Sequence, residues 1–396
     1  MASKIKNVEI LELGETGREA SSPWSSTILL LRLTSSDGQI GYGEAPTTLM
    51  TLPVLESMKE VQRVFQGKDF FNIERNVFDF YRNSFYLSRS MEATSAVSAF
   101  EIASWDLIGK ELGSPIYKLL GGEFNSSIRA YSNGWYSDCV KPEDFVKKGK
   151  EMVKKGFTAM KFDPFGNNYD HIDRKNAVKA AKTVEALREE LGEDIDLLIE
   201  CHGRFSTRDA IRAATEIEPY GPFFFEEPVH PELETGLAEF RRFISTPVAL
   251  GERVLNLRDF YRIISEGLVD IIQPDITNCR GILEAKKIAS VAEAHGISVA
   301  FHNAFGPVQT ATSLNVDYTL PNFIIQESFE ESWPDWKKKL VKSGYRLEKG
   351  HFKLSGKPGL GIEIDEKILE SKKVKGMEPF VDNEPPWVVS NTFRDL

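Results

Sequence analysis

From residue 127 onward the chain alternates short apolar runs with longer amphipathic stretches. The runs at Ile128–Ser132, Ala159–Phe162, Asp196–Glu200, Phe223–Glu226, Pro247–Leu250, Ile271–Gln273, Ser298–Phe301 and Phe323–Gln326 have the length and composition of buried strands. Between them, stretches such as Asp173–Leu191 and Arg208–Ile217 carry apolar residues at helical spacing. Eight such units over about 200 residues predict an α/β protein, a parallel (β/α) TIM-type barrel rather than an open doubly wound sheet. The first part of the chain reads differently. Lys6–Leu13, Thr27–Thr34 and Gln39–Glu44 are strand-like, with the turn signal Ser36-Asp37-Gly38 before the third, so an antiparallel meander is expected. Glu92–Glu111 is a strong helical pattern that breaks at Gly113 and Pro115. After about Pro334 strand and turn return, as in Gly350–Asp365, and this tail is expected to fold back on the first part without extending the barrel. The predicted organisation is an α+β capping domain over residues 1–125, a barrel over 126–335, and a C-terminal segment over 336–396 that completes the cap. The polar stretches Ser21–Ser26 and Thr47–Thr51 are candidate covering loops.

The predicted strands end in polar residues at a steady interval. Glu200, Glu226 and Glu252 are 26 residues apart, Asp275 follows 23 residues later and His302 27 after that. Side chains at the C-terminal ends of barrel strands converge on one mouth. Three carboxylates brought together repel one another unless a cation neutralises them, and a hard divalent ion, Mg²⁺ or in its place Mn²⁺, suits oxygen ligands. Taken singly, each glutamate would be read as a solvated strand end; the regular spacing is what points to a site. Asp275 beside His302 would fix the imidazole tautomer and raise its basicity, as a general base requires. His202, two residues past Glu200, would share its face if the strand continued, as a general acid first, or else as a fourth ligand or a bystander. Arg204, next on that face, is a candidate substrate contact or a surface charge. Lys161 is placed to bind a carboxylate or stabilise an enolate oxygen, and Glu327 to donate a hydrogen bond if protonated. Glu227 should point away from the ligand set.

Composition narrows the partners. A formal net charge of −10 argues against nucleic acid, and means that an anionic substrate needs a locally positive feature such as a bound cation or Lys161. No apolar run reaches the ~20 residues of a membrane span. The isolated Cys139, Cys201 and Cys279 and a first segment lacking a signal-peptide core point to a reduced, cytoplasmic protein. No Gly-rich phosphate loop follows any strand, so no nucleotide cofactor is expected.

Several segments, namely Gly41–Ala45 (GYGEA), Ser104–Gly122, Phe225–Pro228 (FEEP), Gly251–Arg253 (GER), Gln273–Asp275 (QPD), Phe301–Asn303 (FHN) and Pro358–Asp365, together resemble the enolase superfamily, specifically its mandelate racemase-like sugar-acid dehydratases. Asn133–Tyr136, Lys161–Gly166, the CHGRF after Glu200 and His302–Gly306 are similar to archaeal gluconate dehydratases. The resemblance implies a capped barrel whose last unit is incomplete. It also implies elimination of water from an aldonic acid, with Mg²⁺ on Glu200, Glu226 and Glu252, His302 as base oriented by Asp275, Lys161 on the enediolate and His202 as acid. Arg204, Asp163 and Asn303 become substrate-binding candidates and a homo-oligomer, an octamer in related proteins, is implied. Gluconate, galactonate and other acid sugars stay open. Two departures stand out: Glu200 replaces a common aspartate, and Asp163 stands where many racemases carry a second lysine, which counts against racemisation or epimerisation. A non-catalytic sugar-acid binder is the reading from another class.

Overall fold

The computed structural model describes residues 3–15, 27–47, 51–233, 235–374 and 376. The segment Ser21–Ser26 and the middle of Thr47–Thr51 lie outside them. Strands β1 (Ile5–Gly14), β2 (Thr27–Ser35) and β3 (Ile40–Ala45) form the antiparallel meander, in the order β1-β2-β3. Helices α1 (Thr51–Phe65), α2 (Ile73–Asn83) and α3 (Met91–Glu111) follow. Strand β2 is apolar on both faces because it serves two cores. Leu29, Leu31 and Leu33 pack with the helices of this first unit, whereas Ile28 and Leu30 join the core that surrounds the barrel. Two glycines of the GYGEA stretch let α3 lie directly on β3: a Cβ at Gly43 would fall 2.0 Å from the Ala99 carbonyl oxygen, and one at Gly41 2.3 Å from that of Ala103.

The eight parallel strands are β4 (Ile128–Ser132), β5 (Ala159–Phe162), β6 (Asp196–Glu200), β7 (Phe224–Glu226), β8 (Val248–Leu250), β9 (Ile271–Ile272), β10 (Ser298–Val299) and β11 (Gln326–Ser328). They pair in sequence order from β4 to β10. The ring closes through β11 on β4 and a single bridge from Val299 to Phe323. The last strand therefore lies further along the chain than its apolar run predicts, because Phe323 contributes only that bridge. Helices α4 (Pro142–Lys154), α5 (Arg174–Leu191), α6 (Thr207–Ile217), α7 (Thr235–Phe243), α8 (Leu257–Ser265), α9 (Ile282–Ala294) and α10 (Pro307–Asp317) connect consecutive strands. No comparable helix follows β11 among the described residues, so the eighth unit is incomplete.

The C-terminal segment does two things. The hairpin of β13 (Tyr345–Glu348) and β14 (His351–Leu354) pairs antiparallel with the start of β4, so it adds to the barrel sheet, contrary to the expectation that it could not. On either side of this hairpin, β12 (Val341–Ser343) pairs with β15 (Glu363–Ile364), and helix α11 (Glu366–Lys372) reaches the first unit, where Glu366 binds Arg32 and Tyr42. The Leu360 amide donates to Asp106 of α3. No described helix is long and apolar enough to cross a membrane.

Candidate active site

The barrel interior contains one apolar layer, Tyr131, Ala159, Leu198, Phe224, Ala249, Ile271, Ala300 and Ile325, one residue from each strand segment. Strand side chains alternate, so the position two residues on in each case is the next inward one towards the C-terminal mouth. Those positions are Asn133, Lys161, Glu200, Glu226, Gly251, Gln273, His302 and Glu327. The polar layer stacks on the apolar one, and this is what brings residues almost two hundred positions apart into one cluster. Glu252 breaks the two-residue count. Gly251 has φ +156°, and a Cβ there would lie 2.6 Å from the Gln273 backbone. A glycine lets the chain turn at this point, and the side chain of the following residue, Glu252, comes within 3.3 Å of His302 Nε2.

Lys161 is almost completely buried among acids, its Nζ 3.0 Å from Glu200, 2.7 Å from Glu226 and 2.9 Å from Glu327. Burial disfavours its charge, but Glu226 and Glu327 outweigh that and hold it well above the usual lysine value. In this arrangement it is a charged side chain held by three acids. Burial would also raise Glu200, yet Lys161 holds it below the usual range. Burial and the neighbouring Glu200 push Glu226 well up, and Glu252 is raised too, first by burial. One ammonium does not balance this cluster. A divalent cation would, so the donor set fits one with oxygen ligands. As they stand, no three acidic, histidine or cysteine side chains of the described residues are close enough to share an ion; the Lys161 ammonium lies between Glu200 and Glu226.

His302 Nδ1 meets Asp275 Oδ2 at 2.6 Å, and the other Asp275 oxygen accepts from the Thr277 amide at 2.7 Å and the Thr277 hydroxyl. The expected base couple is therefore assembled. A second one is present that the spacing alone did not reveal: His202 Nδ1 lies 2.8 Å from Asp163 Oδ2. Strand β6 stops at Glu200, and His202 takes the left-handed conformation (φ +51°) with its amide donating to Glu200 Oε1 at 2.7 Å. The assumption of a continuing strand fails here, which is why Arg204 does not reach the mouth. Its guanidinium is buried between Phe165 and Phe205, paired with Asp163 and donating to the Gly166 carbonyl. Arg204 and Asp163 thus hold His202 rather than standing free for substrate. Asn303 is likewise turned inward, its amide donating to Thr310 and to the Glu327 carbonyl.

Glu327, expected as a protonated donor, is an acceptor in this arrangement. It accepts from Lys161, from Asn133 at 2.8 Å and from the Asn303 amide at 2.8 Å, and despite burial Lys161 keeps it below the usual carboxylate value. Glu227 points away from the cluster, as expected, and pairs with Arg253. Two residues missed earlier, Asn133 on Glu327 and Gln273 on Glu226, lie two positions past the apolar layer and are found by that count. Solvent reaches mainly His202 (27 % exposed), Glu252 (22 %) and His302 (12 %), which mark the mouth, whereas Lys161, Glu226 and Glu327 form its floor.

Comparison with known proteins places this geometry in a family. Residues 20–121 match the mandelate racemase/muconate lactonizing enzyme N-terminal domain, and residues 144–368 the enolase C-terminal domain-like family. A D-gluconate/D-galactonate dehydratase of Picrophilus torridus is 66% identical over 98% of this chain and 99% of its own. A D-gluconate dehydratase of Thermoproteus tenax is 40% identical over 98% of this chain and 78% of its own. A crystal structure of a mandelate racemase/muconate lactonizing enzyme from Jannaschia sp. superposes with a TM-score of 0.87 at 30% identity, covering 95% of this chain and 99% of that one. The chain belongs to the mandelate racemase/muconate lactonizing enzyme family of the enolase superfamily.

Proposed function

We propose that the protein is a Mg²⁺-dependent aldonate dehydratase, a hydro-lyase that converts D-gluconate to 2-keto-3-deoxy-D-gluconate. The observation that carries this reading is the pair of Asp–His couples, Asp275–His302 and Asp163–His202, beside one acidic cluster. Dehydration needs one group to take the C2 proton and another to protonate the departing C3 hydroxyl, whereas a binder needs neither. The relatives named above support the substrate class.

Mg²⁺, with Mn²⁺ as a substitute, held by Glu200, Glu226 and Glu252, would supply the positive charge that a substrate carboxylate and its deprotonated form require. His302 takes the C2 proton on Nε2, because Nδ1 is committed to Asp275. Lys161 provides a fixed positive charge beside the carboxylate oxygens on which negative charge develops. His202 gives its proton to the C3 hydroxyl as the C3–O bond breaks, so water leaves and an enol remains, which ketonises to the 2-keto acid. Asp163 stands where a second lysine would be and is occupied by His202 and Arg204, so no second lysine base serves racemisation. Self-association and a cytoplasmic location belong to the same proposal.

The test is incubation with a panel of aldonates and Mg²⁺ in D₂O. The expected result is a semicarbazide-reactive 2-keto acid from D-gluconate, and from D-galactonate if the loops that read the distal hydroxyls tolerate both. Deuterated C2 epimer without keto acid would replace dehydration by epimerisation, and binding without either product would leave only a sugar-acid binder.

A further inference from the structure

Two buried residues outside the acidic cluster, Glu44 and Gln309, have no part in the steps above. Glu44 lies on β3 of the first unit and is wholly buried. Its Oε2 accepts from the backbone amides of Val308 (3.0 Å) and Gln309 (2.9 Å), in the first turn of α10. That helix begins with Pro307, which has no N–H, so Glu44 takes the next two amides that lack a helical partner. Gly306 makes the approach possible, because a Cβ there would fall 2.3 Å from Glu44 Oε1. A carboxylate from the cap therefore seats a barrel helix by its positive end.

Gln309, on the same turn, is held at both ends of its amide. Its Oε1 accepts from the Phe305 amide at 2.8 Å, which leaves Nε2 to donate to Asp275 Oδ2 at 2.9 Å. That oxygen also bonds His302 Nδ1, while Thr277 holds the other. Asp275 is thus fixed on both oxygens, and one of its partners sits on the helix turn that the cap residue Glu44 seats.

We propose that Gln309, seated by Glu44, is a positioning residue that sets the Asp275 carboxylate against His302, so that docking of the cap and alignment of the base are one event. The kinetic test rests on the dehydratase reading; the spectroscopic one does not. Gln309→Leu is expected to lower kcat about 10–100-fold with KM within about threefold, as loss of an outer-sphere partner does. The isotope effect with C2-deuterated gluconate should rise, because proton abstraction becomes slower relative to later steps. A purely structural defect would reduce the active fraction and leave that isotope effect unchanged. In the substrate-free protein, the downfield proton resonance of the His302–Asp275 bond should shift or broaden. Glu44→Ala should reproduce these changes, the double variant should cost no more than Gln309→Leu alone, and Glu44→Gln, which keeps an accepting oxygen, should restore both readouts. If Gln309→Leu does not fold, Gln309→Met, of similar length without a donor, carries the same expectations. A folded Gln309 variant with unchanged isotope effect and resonance overturns the proposal, as do additive losses in the double variant. Wild-type protein that turns over no aldonate overturns the dehydratase reading instead, and the resonance then decides the positioning role.

Discussion

Each of the two histidines is held by one carboxylate, and the state of His302 depends on others as well. Burial disfavours a charged His302, but Glu252 and the bond to Asp275 prevail and push it up to about 10. In that state it would be protonated at neutral pH and useless as a base. A cation on Glu252 removes the attraction, so His302 should lose its proton when the metal binds. Mg²⁺ titration at pH 8 in two buffers of different ionisation enthalpy should therefore show a proton release that falls by about one proton in His302→Asn; equal release in both would separate His302 from the metal site. The roles of the two histidines also predict a split. His202→Asn should keep C2 deuterium exchange within about threefold of wild type while elimination falls about 10²-fold or more. A parallel loss of both rates would remove His202 from the acid role.

At the scale of elements, the mouth is an extension of strand alternation, and it departs from that rule at two places, after β8 and after β6. Gly251 has a conformation that a side chain would strain, against the backbone of Gln273. Gly251→Ala should displace the turn that delivers Glu252 while leaving the apolar layer below it intact. The expected outcome is a fall in Mg²⁺ affinity of at least about tenfold with the far-ultraviolet circular dichroism unchanged. Unaltered affinity would mean that Glu252 is not a ligand. The departure at β6 has a different cause: the strand ends at Glu200, so direction beyond it is set by the left-handed turn at His202 and by the attraction of Asp163 for both His202 and Arg204.

Across the whole molecule, the cap and the barrel are joined by buried carboxylates as well as by apolar packing. Glu101 of α3 accepts from the amides of Ile282 (2.8 Å) and Leu283 (3.1 Å), at the start of α9, and from the Trp105 indole (2.9 Å). Gly281 again leaves room for it. Removing this acceptor strands the buried Ile282 amide and the half-buried Leu283 amide, so Glu101→Ala should cost about 2 kcal/mol or more. Calorimetry should show a lower melting temperature, and separation of the melt into two transitions if this contact couples the units. A melting temperature within a degree of wild type would argue that apolar packing alone joins them.

The sequence by itself determined the architecture and which polar side chains would meet at the barrel mouth. Strand and helix periods are local and repeat, so eight units could be counted, and residues at strand ends must converge in a closed barrel. Glu200, Glu226, Glu252, Asp275, His302 and Lys161 were legible on that ground. Tertiary structure alone decided how these groups are held. Val308 and Glu44 are 264 residues apart in the chain, and no local pattern records a hydrogen bond across that separation. The same holds for Asp163 with His202, for Gln309 with Asp275, and for the placement of Lys161 among three acids. Asp163, Arg204 and Asn303 looked available for substrate because a polar side chain near a strand end is ambiguous until its partners are known. Periodicity specifies which way a side chain leaves a regular strand; beyond the strand's last residue, only the surrounding atoms do.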